Sequence, residues 1–75
     1  MNKVFDIIMV GNRRAIISEI YKDGDVEVVY EDSGKHINED AIWEEDRWKF
    51  KTDSVSGGYA DNYQRLQDAI RALGK

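Results

Sequence analysis

The sequence predicts a small α+β protein, in which an antiparallel β-meander of four to six short strands is covered by one C-terminal amphipathic helix. Two observations lead to this prediction. Short apolar stretches with strand-like alternation are separated by turn residues as far as about residue 52, and beyond residue 58 the apolar residues recur at helical spacing. Turn signals favour pairing of neighbouring strands, but they leave open whether the sheet is open or closes into an SH3-like barrel.

Turn residues set the limits of the strands. The predicted strands cover about residues 3–10, 14–21, 25–31, 35–38, 41–43 and 48–52, and the helix covers about 60–73. Gly11 and Asn12 both tolerate the positive φ of a tight turn, and Asp23-Gly24 is a strong hairpin signal. "DSG" at 32–34 predicts a further turn, and "NED" at 38–40 predicts a break between the fourth and fifth strands.

Alternation assigns faces to these strands. In the first strand, three apolar residues share one face, as in a half-buried strand: Phe5, Ile7 and Met9. The second strand is rich in β-branched residues, but its imperfect alternation leaves its inward face open. Four apolar residues fall on faces that are predicted to point away from the helix: Ile8, Val10, Ile17 and Val29. Residues so placed would form a symmetric dimer interface or fill a closed barrel.

The stretch "IWEEDRWKF" predicts a hairpin that is closed by two tryptophans. The four residues 44–47 fit a hairpin loop, which places Trp43 directly across from Trp48. Structural roles are favoured for both rings, because a chain with two Trp, two Phe and no Cys needs its large rings inside. The alternative is an exposed pair that binds a cationic side chain between ring faces and nearby carboxylates.

The helix is predicted from an apolar stripe with 4, 3, 4, 3 spacing. The stripe consists of Tyr59, Tyr63, Leu66, Ile70 and Leu73. Asp61 with Gln64 would form an N-terminal capping box, and Gly74 stands where a glycine commonly ends a helix. Such a stripe must pack on an apolar surface, for which the sheet is the available partner.

Length and composition predict one cytoplasmic domain over residues 1–75. With no cysteine, the chain has neither disulfides nor a thiolate metal cluster. No apolar run approaches the roughly 20 residues that span a bilayer, and the N-terminal sequence lacks the form of a signal peptide. We therefore expect no membrane association.

Acidic residues are concentrated in the middle of the chain. Residues 19–46 hold eleven acidic residues against two lysines, a net charge of −9, whereas the whole chain carries −4. Direct nucleic-acid binding through this segment is not expected, because a phosphate backbone attracts the opposite charge. Solvated surface charge is the simpler explanation, and the alternative is an acidic nucleic-acid mimic that inhibits a nucleic-acid-binding protein.

No catalytic, cofactor-binding or metal-binding residues are predicted. A nucleophilic triad requires a nucleophile, a base and an orienting acid, and the single histidine, His36, lies beside a turn. The carboxylate pairs coincide with predicted turns or outer strand faces, where solvated charge is the default. A carboxylate-based, metal-dependent enzyme is therefore kept only as the alternative of another class.

These observations predict a small non-enzymatic domain that binds another protein and that forms a homodimer if its apolar outer faces are exposed. The candidate partner-binding residues are Glu39, Asp40, Trp43, Glu44, Glu45, Asp46 and Trp48. They combine the two large aromatic rings with the acidic residues that surround them.

Overall fold

The computed structural model describes residues 2–51, 58–59 and 63–75. Its elements are β1 (Ile7–Val10), β2 (Arg13–Ile20), β3 (Val26–Asp32), β4 (Lys35–Glu44), β5 (Arg47–Phe50), β6 (Gly58–Tyr59) and α1 (Gln64–Leu73). The α+β class and the C-terminal helix are thus confirmed. Most strand limits agree with the predicted ones to within two residues, which is the usual uncertainty of an element end.

Strands β1 to β5 form a closed, barrel-like sheet. Each strand from β1 to β5 is antiparallel to the next, and β3 pairs with both β2 and β4. β1 and β5 run parallel where Val10 lies opposite Trp48, and this contact closes the sheet on itself. The sequence did not decide whether the sheet closes into a barrel. The closed sheet seen here is consistent with an SH3-like barrel. β6 adds to β4 through the pairs Ile37–Tyr59 and Asn38–Gly58.

The barrel interior holds the larger of two apolar clusters. Its buried residues are Val10, Ala15, Ile17, Val26, Val28, Tyr30, Ala41 and Trp48. Partly buried side chains at its edge are Ile8, Ile37 and Phe50. Burial of a Val, Ile or Trp side chain contributes on the order of 1.5–3 kcal/mol, so this cluster supplies much of the stability of so small a chain.

A second apolar cluster lies between the outer face of the barrel and α1. It consists of Ile16, Val29, Leu66, Ala69 and Leu73, with Ile70 and Ala72 at its edge. β2 and β3 are therefore covered on both faces, by the barrel interior and by the helix. This double burial explains why the alternation of β2 was ambiguous, since a strand covered on both sides has no polar face.

The four residues proposed for a dimer interface do not lie on the surface. Ile8, Val10 and Ile17 belong to the barrel interior. Val29 lies under the helix and is fully buried. The prediction that these residues point away from the helix is confirmed for Ile8, Val10 and Ile17, which lie in or against the interior of the closed barrel, and it is wrong for Val29, which α1 covers. They therefore do not form an exposed dimer interface.

The predicted face of the first strand is also wrong. Ile7 and Met9 are 42% and 53% exposed, and Ile8 and Val10 point inward instead. The strand starts four residues later than predicted, because Lys3 and Asp6 close a turn in which the Lys3 amide donates to Asp6 Oδ2 at 2.8 Å. Phe5 lies in this turn with a φ of 76°, outside the strand region.

The break predicted at residues 38–40 does not occur, and β4 runs without interruption from Lys35 to Glu44. Three successive polar residues continue the strand because each finds a hydrogen-bond partner on a neighbouring segment. Asn38 donates to Glu27, Glu39 accepts from Tyr30 and Asp40 accepts from Tyr21.

The helix begins later than predicted, at Gln64, with Tyr63 as an extended N-cap residue. Tyr59 belongs to β6 rather than to the helical stripe. The proposed capping residue Asp61 lies outside the described residues. Gly74 caps the helix as expected, but its φ of −79° means that it does not use the left-handed conformation.

Candidate functional site

The two tryptophans face each other across the β4–β5 hairpin, as predicted. Trp43 pairs with Trp48, and Glu44 pairs with Arg47. The turn is tighter than expected, because only Glu45 and Asp46 lie outside the pairing, with φ values of 57° and 61°. Positive φ at both central residues is the geometry of a type I′ turn, whose twist matches that of the flanking strands.

The two indole rings have different environments. Trp48 is 8% exposed and belongs to the barrel interior, whereas Trp43 is 57% exposed. The rings meet edge to face, with centroids 5.4 Å apart and planes at 72°. The expected structural role therefore fits Trp48, and the prediction that both rings are inside is wrong for Trp43. The buried ring holds the exposed one in place.

The acidic residues of the β4–β5 turn are partly neutralised. Lys49 forms ion pairs with Glu44, at 3.5 Å, and with Glu45. The hydrogen bond from Lys49 lowers the pKa of the Glu45 carboxyl below its ordinary value. Asp46, at the tip of the turn, is exposed. The turn consequently presents a mixed-charge surface with an excess of carboxylates beside Trp43.

Glu39 and Asp40 are engaged elsewhere, as acceptors for two tyrosine hydroxyl groups. Tyr21 donates to Asp40 Oδ1 at 2.8 Å, and Tyr30 donates to Glu39 Oε1. Burial, followed by this hydrogen bond, raises the pKa of Tyr30 to about 12. Burial and the hydrogen bond to Asp40 likewise raise the pKa of Tyr21. The structure thus brings Trp43 together with residues 44–46 and with the buried Trp48, and Glu39 and Asp40 are engaged with the two tyrosines instead.

A buried carboxylate was missed by the sequence analysis. Glu27 is 5% exposed and is held by three side chains. Ser18 donates to Glu27 Oε1 at 2.8 Å, Asn38 donates to Oε2 at 3.3 Å, and Arg65 Nη2 lies 3.3 Å from both oxygens. Arg65 also pairs with Glu19 at 3.4 Å. In the sequence, the position of Glu27 between two valines is the one sign that this carboxylate could be buried. Its burial becomes evident only when α1 is docked on the sheet.

The two ends of the barrel differ in character. One end is formed by the start of β1, the β2–β3 turn and the β4–β5 turn, and we call it the Trp43 end. The other is formed by the β1–β2 turn, the β3–β4 turn and the C-terminus of α1, and we call it the cavity end. Exposed large apolar side chains in the segments of the Trp43 end are Val4, Phe5, Ile7, Ile20 and Trp43.

The cavity end contains an open cavity of about 860 Å³. Arg13, Arg14 and His36 line it together with the apolar side chains of Val10, Phe50 and Leu73. The adjacent arginines follow the first turn in the sequence "GNRR", a basic pair to which the sequence analysis gave no function. His36 is half-buried on β4 at the rim of this cavity.

Within residues 2–51, 58–59 and 63–75, no group of three or more His, Asp or Glu side chains is arranged to hold a metal ion. In the same ranges, no helix is long and apolar enough to cross a membrane. Comparison of the chain with protein-family models, with curated proteins and with solved structures finds no match in any of the three.

Proposed function

We propose that this protein is a small non-enzymatic domain that binds another protein through the Trp43 end of the barrel. The observation that carries the proposal is the 57% exposure of Trp43, an indole held by edge-to-face contact with the buried Trp48. Tryptophan is the residue most enriched among those that dominate the energy of protein interfaces. Its two side-chain torsions also make it inexpensive in conformational entropy to immobilise.

Exposed apolar side chains in other segments of the Trp43 end support a protein contact. Ile20 is 40% exposed at the end of β2, and Phe5 and Ile7 are 46% and 42% exposed at the start of β1. Large apolar side chains in neighbouring segments of a small domain are unusual unless they mark an interaction surface. The β4–β5 hairpin, which Trp48 anchors in the barrel interior, presents Trp43 on a rigid support, so binding requires little reordering.

The charge of this end favours a partner with basic residues. The β2–β3 and β4–β5 turns carry five carboxylates, those of Asp23, Asp25, Glu44, Glu45 and Asp46. The basic side chains of the same turns and of the start of β5 are Lys22, Arg47 and Lys49. An apolar centre inside a charged rim is the usual anatomy of a protein interface, and the excess of carboxylates would steer a cationic partner towards it.

Affinity capture with matched variants tests the proposal. Immobilised wild-type protein, Trp43→Ala and Tyr63→Ala are incubated with the same lysate, and each captured protein is then purified and titrated against all three. Tyr63 is the control, because it is a similarly exposed aromatic residue, at 60%, at the N-cap of α1. We expect a partner whose affinity falls at least roughly tenfold for Trp43→Ala and stays unchanged for Tyr63→Ala.

Two outcomes would count against this function. One is that every captured protein binds Trp43→Ala as tightly as it binds the wild type. The other is that Tyr63→Ala weakens binding to the same extent, since this would show a general loss of surface area. A partner that itself binds nucleic acid, and whose affinity falls as salt is added, would favour the mimicry alternative over recognition centred on the tryptophan.

A further inference from the structure

The cavity end offers more hydrogen-bond donors than the protein uses. Arg13 Nη1 donates to the Glu31 carbonyl oxygen at 3.1 Å, and its guanidinium lies 4.5 Å from the centre of the Tyr30 ring. Arg14 Nη1 donates to the Leu73 carbonyl oxygen at 3.1 Å. The remaining N–H groups of both guanidiniums have no acceptor among the described residues. A guanidinium that is fixed by one hydrogen bond and has further N–H donors can bind an additional acceptor.

Three of the acceptors around this cavity are already in use. The carbonyl oxygens of Glu31 and Leu73 accept from the two arginines. The Glu31 carboxylate accepts from the Gly34 amide at 3.2 Å. The carbonyl at the end of α1, which would otherwise repel an anion, is thereby covered by a cation. The guanidinium donors that remain are therefore not taken up by these three acceptors.

The cavity also has the shape and lining of a ligand site. Its volume of about 860 Å³ lies within the usual range for small-molecule pockets, roughly 300–1,000 Å³. Val10 and Leu73 also border it but are almost completely buried, so the half-buried Phe50 supplies most of its apolar surface. Its charged lining residues are two arginines and one glutamate, a formal charge of +1 in a chain of −4.

We propose that this cavity binds a small organic anion. Arg13 and Arg14 leave β2 on opposite faces but both line the cavity, so they would approach the carboxylate or phosphate group of the ligand from two sides, and His36 would contribute a further polar contact at the rim. The apolar body of the ligand would lie against Phe50, an apolar lining residue that is only half-buried. The residues that line the cavity do not include any of the candidate partner-binding residues, so this site is distinct from the proposed protein-binding surface.

Titration of the ¹⁵N-labelled protein with three probes tests this site. The probes are 3-phenylpropionate, its uncharged amide 3-phenylpropionamide, and inorganic phosphate, which has the charge without the apolar body. The amides of Gly11, Gly34 and Gly74 line the cavity and report on binding, whereas Gly24, in the β2–β3 turn, is a control at the other end. We expect 3-phenylpropionate to shift the three cavity amides and to leave Gly24 unchanged.

The probes and variants separate charge recognition from unspecific binding. The amide and the phosphate should each bind at least roughly tenfold more weakly than 3-phenylpropionate, since each lacks half of the recognised chemistry. Arg13→Gln and Arg14→Gln should each weaken 3-phenylpropionate binding by roughly tenfold, and Arg13→Lys and Arg14→Lys by less, because they keep the charge. Arg47→Gln, on β5 at the Trp43 end, should have no effect.

The proposal is overturned if the uncharged amide binds as tightly as the carboxylate, because the arginines would then play no part. It is also overturned if Arg47→Gln weakens binding as much as the cavity variants do, or if Gly24 shifts with the cavity amides. The comparison of the probes needs only the wild-type protein, so it decides the question even if an arginine variant does not fold.

Discussion

At the scale of single residues, two tyrosine–carboxylate pairs connect β4 to its neighbours. Glu39 and Asp40 are adjacent in sequence, and because side chains alternate along a strand they leave β4 on opposite faces. Each accepts a hydrogen bond from a phenol, Glu39 from Tyr30 and Asp40 from Tyr21. A buried phenol beside a carboxylate is favoured in its neutral form, which is why the pKa of both tyrosines is raised.

The Tyr30–Glu39 pair predicts a specific loss of stability in alkali. The pKa of Tyr30 is about 12 in the folded protein, against 10.0 for an ordinary tyrosine. Deprotonation then favours the unfolded chain, so the contribution of Tyr30 is complete below pH 10 and is lost as the pH rises towards about 12. The free energy of unfolding, measured by denaturant titration across this range, should fall less steeply for Tyr30→Phe than for the wild type.

Tyr63→Phe is the control for that measurement, because Tyr63 is 60% exposed. It should leave the slope of stability against pH as in the wild type. The Tyr30→Phe variant should still lose some stability as the pH rises, because Tyr21 remains and its pKa is raised as well. Equal slopes for Tyr30→Phe and the wild type would contradict the account of this pair.

At the scale of elements, β4 shows where sequence patterns mislead. Asn38, Glu39 and Asp40 form a polar run of the kind that usually marks a turn, and the sequence predicted a break there. The strand continues because their partners come from other segments, namely Glu27, Tyr30 and Tyr21. A local pattern contains no information about such partners. By contrast, the four hairpin turns were predicted, since their geometry depends on the turn residues themselves.

The first strand misled the prediction for a different reason. Both of its faces are apolar, with Ile7 and Met9 on one and Ile8 and Val10 on the other. Alternation alone cannot choose between two such faces. The choice is made by register, because Ile8 lies opposite Ala15 and Val10 opposite Trp48, and both partners are buried in the barrel. This leaves Ile7 and Met9 as exposed apolar side chains.

The docking of α1 on the barrel gives a prediction at this scale. Leu66 is 2% exposed and lies with Ile16 and Val29 in the cluster between helix and sheet. Leu66→Ala should lower the free energy of unfolding by about 2–5 kcal/mol, through lost apolar contact and the cavity that remains. Gln67→Ala, at the exposed neighbouring position, should change it much less, and denaturant titrations of both variants measure the difference.

A near-neutral Leu66→Ala variant would mean that the helix does not pack as described. The predicted stripe anticipated Leu66 and Leu73, but it also included Tyr63, which is exposed, and it omitted the fully buried Ala69. A helical stripe that is identified by hydrophobicity favours large apolar residues and overlooks alanine. A close approach of helix and sheet instead selects a small side chain, and its position depends on the partner surface.

At the scale of the whole molecule, closure of the sheet separates two surfaces of different chemistry. The Trp43 end exposes apolar side chains among carboxylates, and the cavity end presents two arginines together with the half-buried Phe50. Closure depends on the contact between Val10 and Trp48, whose strands are far apart in sequence and are not joined by a hairpin turn. The sequence therefore predicted the strands of this barrel, but not which of its tryptophans is exposed or that the cavity exists.

We infer that Trp48 stabilises the fold and that Trp43 is free to bind a partner. The most direct test of this difference is the global free energy of unfolding of Trp43→Ala and Trp48→Ala. Denaturant titration followed by far-ultraviolet circular dichroism measures it without relying on tryptophan emission. We predict that Trp48→Ala loses about 3–5 kcal/mol or does not fold. Trp43→Ala should lose only the edge-to-face contact, about 0.5–1.5 kcal/mol, and keep the fold. Equal losses for the two variants, or an unfolded Trp43→Ala, would show that Trp43 serves the fold and would contradict the proposed binding surface.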